Sequence, residues 1–191
     1  LKLDLHLEVL RSDRTGMKFC YALIDIDHFK VVNDTYGHFT GDIVIKTLAH
    51  LLQQRLRSID RIGRYGGEEF GIIFPNTSVE EGLNVLAQIH KKFSEIEFIA
   101  GDNKFFVTFS AGIAEYPTFM TGELLNLAAD AALYESKRGR KSQLDFFLNM
   151  DFPIYHVDAI GDLIGHAEFS QDKESSLIVD DRTLTKLWCT P

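Results

Sequence analysis

Three things are scarce in this chain of 191 residues: cysteine, positive charge and uninterrupted apolar sequence. There are two cysteines, Cys20 inside an apolar run and Cys189 near the C-terminal end. Isolated thiols with no CxxC spacing exclude a thiolate-held metal cluster and point to a reducing compartment, with a bond between the two left open. Twenty Lys and Arg against 28 Asp and Glu leave a formal net charge of -8. The cationic face that displaces counterions from nucleic acid is therefore missing, so DNA and RNA are excluded as partners, as is contact of this segment with an anionic membrane. No apolar run approaches the roughly 18 residues that span a bilayer, and no signal peptide opens the chain. Internal repeats and low-complexity tracts are absent too. The first residue is not Met, so the chain reads as an excised piece of a longer protein.

What is present is enough apolar sequence, 45% of residues, to bury one sizeable core with a small appendage. Leu3, Leu7 and Leu10 have helical spacing, and Ser12 to Gly16 reads as a polar connector. Phe19 to Ile24 is a nearly continuous apolar run, as expected of a strand buried on both faces. It ends in Asp25-Ile26-Asp27-His28-Phe29-Lys30, where strand alternation predicts that Asp25 and Asp27 share a face. A short helical turn and loop over 31–38 precede a helix from about Asp42 to Ser58. Ser78-Val79-Glu80-Glu81 fits a capping box opening the next helix. A strand is expected from Lys104 to Glu115, and Thr121 is expected to cap a helix to about Lys137 packed through Leu124, Leu127, Ala128 and Ala131. Ser142 to Phe147 reads as a last strand. From about Leu148 acids accumulate, and Leu163 to Phe169 with Ser176 to Val179 could form a small hairpin. Strands interleaved with helices indicate an α/β (α+β) fold, a central mixed sheet covered by helices.

The stretch Arg64-Tyr65-Gly66-Gly67-Glu68-Glu69-Phe70-Gly71 lies between two β-type runs, 60–65 and 70–75. Adjacent glycines tolerate the positive φ of a two-residue hairpin turn. On its own this is first a solvated hairpin with charged tips. Its second reading is a metal-assisted phosphate site, because glycines let a bulky anion approach the backbone and a carboxylate there needs a cation between. If the two strands are neighbours, Asp25/Asp27 and Glu68/Glu69 face one another. Oxygen ligands of this kind suit a hard divalent ion that completes its shell with water and substrate phosphates, which points to nucleotidyl transfer.

Gly66-Gly67-Glu68-Glu69-Phe70 resembles the signature of the GGDEF diguanylate cyclases in its Glu-at-third-position form. Asp25 to Lys30, followed by Asn33-Asp34-Thr35-Tyr36-Gly37-His38 and Gly41-Asp42, is similar to that family's first strand and loop. Leu133-Tyr134 with Ser136-Lys137 and Gly139-Arg140 resembles its C-terminal signature. The likeness covers about Leu1 to Leu144. It implies a catalytic domain over 1–147, lacking its N-terminal edge, and an acidic extension over 148–191. The implied fold is that of nucleotidyl cyclases and polymerase palms, with an active-site hairpin.

The implied activity is condensation of two GTP into cyclic di-GMP with release of pyrophosphate. By match, Asp25, the Ile26 carbonyl and Glu68 hold Mg²⁺ or Mn²⁺, and Glu69 assists. Asn33 and Asp42 read guanine, whose N1–H and N2–H₂ a carboxylate can accept. Phe29 and Lys30 contact phosphates, Lys137 and Arg140 close over them, and Gly66 and Gly67 leave room for the nucleotide. Arg57-Ser58-Ile59-Asp60 matches the family's RxxD inhibitory motif, where the product docks through Arg57 and Asp60; RxxD alone would ordinarily be a surface ion pair. His28 and His38 match no catalytic role and read as loop or packing residues. Expected partners are a second copy of the chain, for catalysis in a homodimer, and an upstream sensor or receiver domain. The expected location is the bacterial cytoplasm, free or as the cytoplasmic part of a membrane-anchored protein.

The family's Asp-x-Leu-Thr-x-Leu-x-Asn-Arg motif is absent, the C-terminal signature is one residue short between Lys137 and Gly139, and Lys141 stands where Asn is usual. The alternative is therefore a catalytically inactive module acting as a receptor for GTP or cyclic di-GMP. A cyclase making a mixed GMP–AMP product is disfavoured by Asp42.

Overall fold

A computed structural model of the chain describes residues 1–138 and, as strands, 144–147, 153–157 and 163–168. Helix α1 (Lys2–Thr15) runs on through the expected connector and stops at Gly16, whose φ of 69° makes the left-handed cap. Ser12 explains the extension: it is buried, and its hydroxyl donates to the Met17 carbonyl instead of to water. Strand β1 (Phe19–Ile26) is buried along its whole length. Its alternate residues serve two cores. Cys20, Ala22, Ile24 and Ile26 face helices α2 (Phe29–Tyr36), α3 (His38–Arg55) and α4 (Val79–Ser94), while Phe19, Tyr21 and Leu23 face α1 and α5 (Gly122–Arg138). The double-faced apolar run is thus the middle of a three-layer sandwich.

The hairpin consists of β2 (Arg61–Gly66) and β3 (Glu69–Pro75), with β3 antiparallel to β1. Short β4 (Phe98–Ala100) and β5 (Asn103–Phe105) pair apart from the main sheet, and β6 (Phe109–Tyr116) pairs antiparallel with the other edge of β1. The single strand expected over 104–115 is therefore two, because β5 turns away to pair with β4. β7 (Leu144–Phe147) lies parallel to β6, and β8 (Pro153–Val157) and β9 (Leu163–Glu168) add antiparallel. The sheet order is β2-β3-β1-β6-β7-β8-β9, a mixed sheet as expected. β9 pairs with β8; Ser176 to Val179 lies outside the described residues.

Other boundaries move for local reasons. α2 is a full eight-residue helix, and α3 starts at His38, one turn before Asp42, with only Gly37 between them. Gly37, at φ 83°, changes the chain direction in one residue, and Thr40 donates back to the Tyr36 carbonyl at 2.8 Å. The capping box on α4 is present as expected, with Ser78 accepting from the Glu81 amide and Glu81 from the Ser78 amide. Thr121 caps α5, accepting from the Leu124 amide at 3.1 Å. The buried face of α5 is Leu125, Ala128, Ala129, Ala131, Ala132 and Leu133, whereas Leu124 and Leu127 are only half-buried. Small residues let α5 approach β6 until an added Cβ at Gly112 would lie 2.2 Å from the Ala129 carbonyl oxygen and the Leu133 nitrogen. Among the described residues no helix is long and apolar enough to cross a membrane.

Candidate active site

The register of three strands gathers the acids. Asp25, at the end of β1, lies opposite Glu69 of β3 on one side and Ser110 of β6 on the other. Being central, it is only 8% exposed, and burial pushes its carboxyl above the usual carboxylate range. Lys137 opposes that shift: its Nζ sits 2.6 Å from Asp25 Oδ2. Glu69 is half-buried and is also pushed up, first by burial and then by the negative charge of Asp25. Glu68 is half-buried in the turn.

That turn differs from the expected one. Gly66 pairs with Glu69, so the connecting residues are Gly67 and Glu68, and neither glycine has positive φ. A bulge at Tyr65 advances the register by one residue, and Arg64 Nε ties the turn by donating to the Gly67 carbonyl at 2.8 Å. A Cβ on Gly67 would meet nothing within 4 Å, so that side of the turn is open.

Asp27, close enough for its charge to act on Asp25, has different partners. It lies one residue past β1, and its two carboxylate oxygens accept from Thr108 Oγ1 at 2.6 Å and Ser110 Oγ at 2.7 Å. Its amide donates to the Thr108 carbonyl at 2.9 Å. The second Asp is a buried brace joining the end of β1 to β6, because two hydroxyl donors there satisfy a charge that solvent cannot reach.

Residues expected to read the nucleotide sit on α2 and α3. Lys30 is exposed and forms no ion pair among the described residues. The Phe29 ring is buried in the core, so only its main chain, in the first turn of α2, is free to meet a phosphate. Asn33 is half-buried and Gly41 is a close-approach position, since a Cβ there would stand 2.0 Å from Asn33 Oδ1. Asp42 is exposed on the same stretch of α3. Arg140 lies outside the described residues.

Arg57 and Asp60 lie on the loop from α3 to β2, at the sheet's other end. The guanidinium forks onto Asp60 at 2.8 Å (Nη2 to Oδ1) and 3.2 Å (Nε to Oδ1), and reaches Thr77 Oγ1 at 2.7 Å and the Pro75 carbonyl at 3.2 Å. The RxxD pair is thus pre-formed and fastened to the β3–α4 connection.

Sequence reading missed Asp130. It is half-buried on α5, burial raises its carboxyl pKa, Lys137 opposes the rise, and its charge helps raise Glu69. A lone acid inside Ala128-Ala129-Asp130-Ala131-Ala132, on the buried side of a helix, was the available signal.

The donors fit a hard divalent ion in chemistry: carboxylates of Asp25 and Glu68 and a main-chain oxygen at Ile26, with an ammonium already standing against Asp25. Among the described residues no three acidic, histidine or cysteine side chains converge as a closed cage. Such an open set suits an ion that takes its remaining ligands from water and phosphate. GGDEF cyclases generally use a divalent metal.

A sequence profile described as "Diguanylate cyclase, GGDEF domain" matches residues 1–143. The chain is 40% identical over 141 residues to diguanylate cyclase DgcP of Pseudomonas aeruginosa, covering 74% of this chain and 21% of that protein. It is 38% identical over 128 residues to diguanylate cyclase A of Treponema denticola, covering 66% of this chain and 34% of that one. It therefore spans roughly a fifth to a third of the length of these relatives. Among solved structures, the active GGEEF domain of a diguanylate cyclase from Vibrio cholerae superposes with a TM-score of 0.74 at 31% identity, covering 78% of this chain and 95% of that one. The GGDEF domain of DgcB from Caulobacter crescentus, in complex with c-di-GMP, gives 0.72 at 34% identity, with 75% and 85% covered. With three-quarters of its length matched, and the acids of β1 and the hairpin side by side, the chain belongs to the diguanylate cyclase GGDEF-domain family.

Proposed function

We propose that the chain is one half-site of a diguanylate cyclase, taking one GTP and meeting a second copy across a twofold axis to form cyclic di-GMP. The observation that carries this reading is Asp25 opposite Glu69 on adjacent strands, with the Lys137 ammonium against the Asp25 carboxylate. Asp25, Glu68 and the Ile26 carbonyl hold Mg²⁺ or Mn²⁺. When bound, that ion supplies charge neutralisation at the phosphates and a lowered pKa for the attacking hydroxyl. Asn33 and Asp42 accept and donate along the guanine edge. The first turn of α2, through the Phe29 and Lys30 amides and the Lys30 ammonium, takes the phosphates together with Lys137 and Arg140. Glu69, half-buried at the start of β3 opposite Asp25, assists at the site.

Each ribose 3′-oxygen loses its proton and bonds to the other nucleotide's α-phosphorus, whose bond to pyrophosphate breaks. Symmetry makes the two transfers equivalent, and holding the reactants face to face replaces a bimolecular encounter. Arg57 and Asp60 are the product's inhibitory dock, a guanidinium that can fork onto phosphate and a carboxylate that can accept from guanine.

The test is incubation of the dimeric chain with GTP and Mg²⁺, following pyrophosphate and cyclic di-GMP. Asp25→Asn and Glu68→Gln are expected to bring both to background while leaving the fold intact. Wild-type-like turnover in either variant sinks the assignment. Cyclic di-GMP binding with no turnover by the unaltered chain makes it a receptor instead.

A further inference from the structure

Asp25 is a carboxylate on a central strand, nearly out of solvent, and such a group is costly without a counter-charge. The structure supplies one from within. Lys137 stands in the last turn of α5, and its Nζ reaches Asp25 Oδ2 at 2.6 Å, a close charge-assisted contact slightly shorter than is usual for an ammonium and a carboxylate. Its base is held in place. α5 is in backbone contact with β6 at Gly112, so the position of Lys137 Cα follows the sheet. Its end is not held: the side chain is 35% exposed, against 11% for that of Asp25, so the ammonium can leave on its four-carbon stem while the carboxylate stays. The neighbouring cation is turned elsewhere, Arg138 lying 3.8 Å from Glu135 and 5.6 Å from the centre of the Tyr134 ring. Among the described residues, Lys137 is the side chain that forms an ion pair with the acids of the site.

We infer that Lys137 is an internal competitor for the divalent ion, occupying the Asp25 oxygen until nucleotide phosphates offer the ammonium another anion. This rests on the proposed reading of Asp25 as a metal ligand and of Lys137 as a phosphate contact. Two consequences follow. The chain alone binds divalent ions more weakly than its carboxylates permit, because the Asp25–Lys137 pair has to be broken first. Phosphates, by drawing Lys137 away, make Asp25 available, so nucleotide and ion strengthen one another's binding by the same factor. Lys137 is then a positioning residue that couples the loading of the two ligands.

The test uses Mn²⁺ alone, with no nucleotide, titrated into the 191-residue chain and read by the loss of free-ion electron paramagnetic resonance signal. Lys137→Ala, and Lys137→Met, which keeps the stem, are expected to bind Mn²⁺ roughly three- to tenfold more tightly, the range for a partly exposed charge pair. Arg138→Ala removes the same charge without touching Asp25 and is expected to stay within about twofold of the unaltered chain. In an Asp25→Asn background the Lys137→Ala gain disappears. Equal tightening in Lys137→Ala and Arg138→Ala overturns the inference, since bulk charge would then explain it. Unchanged or weaker Mn²⁺ binding in Lys137→Ala, or no Mn²⁺ binding by any of the proteins, overturns it too. Because no turnover is read, a chain that shows this pattern but makes no cyclic di-GMP refutes the proposed activity alone. An active cyclase whose Lys137 variants bind Mn²⁺ no more tightly refutes this inference alone.

Discussion

Gly112→Ala tests the contact on which the position of Lys137 depends. The added methyl carbon would lie 2.2 Å from the Ala129 oxygen and the Leu133 nitrogen and 2.8 Å from the Ala132 carbonyl carbon. All three are main-chain atoms in the middle of a helix, so no rotamer change makes room. Bringing the nearest contacts out to 3.0 Å needs a shift of at least 0.8 Å (3.0 minus 2.2), and ordinary contact needs more. A gap of that order forfeits about a quarter to a half of each dispersion contact along the buried face of α5. Overpacking of a core costs about 1–3 kcal/mol and occasionally more. The opposing effect is the lower chain entropy of Ala in the unfolded state, worth about 0.4–1 kcal/mol. The clash wins, and the expected net loss is about 1–2 kcal/mol. At about 2–4 °C per kcal/mol for a chain of this size, the Tm falls by roughly 5 °C. Urea unfolding followed by circular dichroism measures the free energy, and a thermal scan the Tm. A variant within about 0.5 kcal/mol of wild type would refute the close β6–α5 contact, and with it the fixed base assigned to Lys137.

Gly67→Ala adds its methyl to open space at a non-positive φ, so stability should change by less than about 0.5 kcal/mol while GTP affinity, measured by calorimetry, falls; a large stability loss would contradict the turn geometry. His90 is buried and its imidazole is held below the ordinary value of about 6.5 by burial, with Asp27 opposing. The folded chain then binds fewer protons than the unfolded one below that pH, so stability is full above about 6.5 and is lost as pH falls. The Tm–pH curve of His90→Gln should be flatter on the acid side, and parallel curves would reject the assignment. Arg57→Ala removes the fork to Asp60 and the bonds to Thr77 and Pro75 from a half-exposed side chain; about 1 kcal/mol of stability should go. Progress curves should no longer flatten as product accumulates, and undiminished product inhibition would separate Arg57 from the proposed dock.

Much of this was legible because it is local. An unbroken apolar run made β1 a strand buried on both faces, Ser78 and Glu81 announced α4, Thr121 announced α5, and adjacent glycines between β-type runs announced the hairpin. The motif residues also showed that acids gather at the strand end and the hairpin, which is enough to name the family. The misread details depended on partners far along the chain. Which two residues turn the hairpin depends on a bulge set by pairing with β3, not on the glycines themselves. Asp27 looked like a second site carboxylate until Thr108 and Ser110, 81 and 83 residues away, took both of its oxygens. Asp130 carried no motif in the sequence, and only the packing of α5 against β6 makes its charge act on Glu69 and brings it under the influence of Lys137. Lys137 meets Asp25 for the same reason. Residue types and spacing determined which chemistry this protein carries. The sheet register and a helix drawn close over Gly112 decided which charges touch, because an ion pair is set by distances of a few ångströms that only the packed layers define.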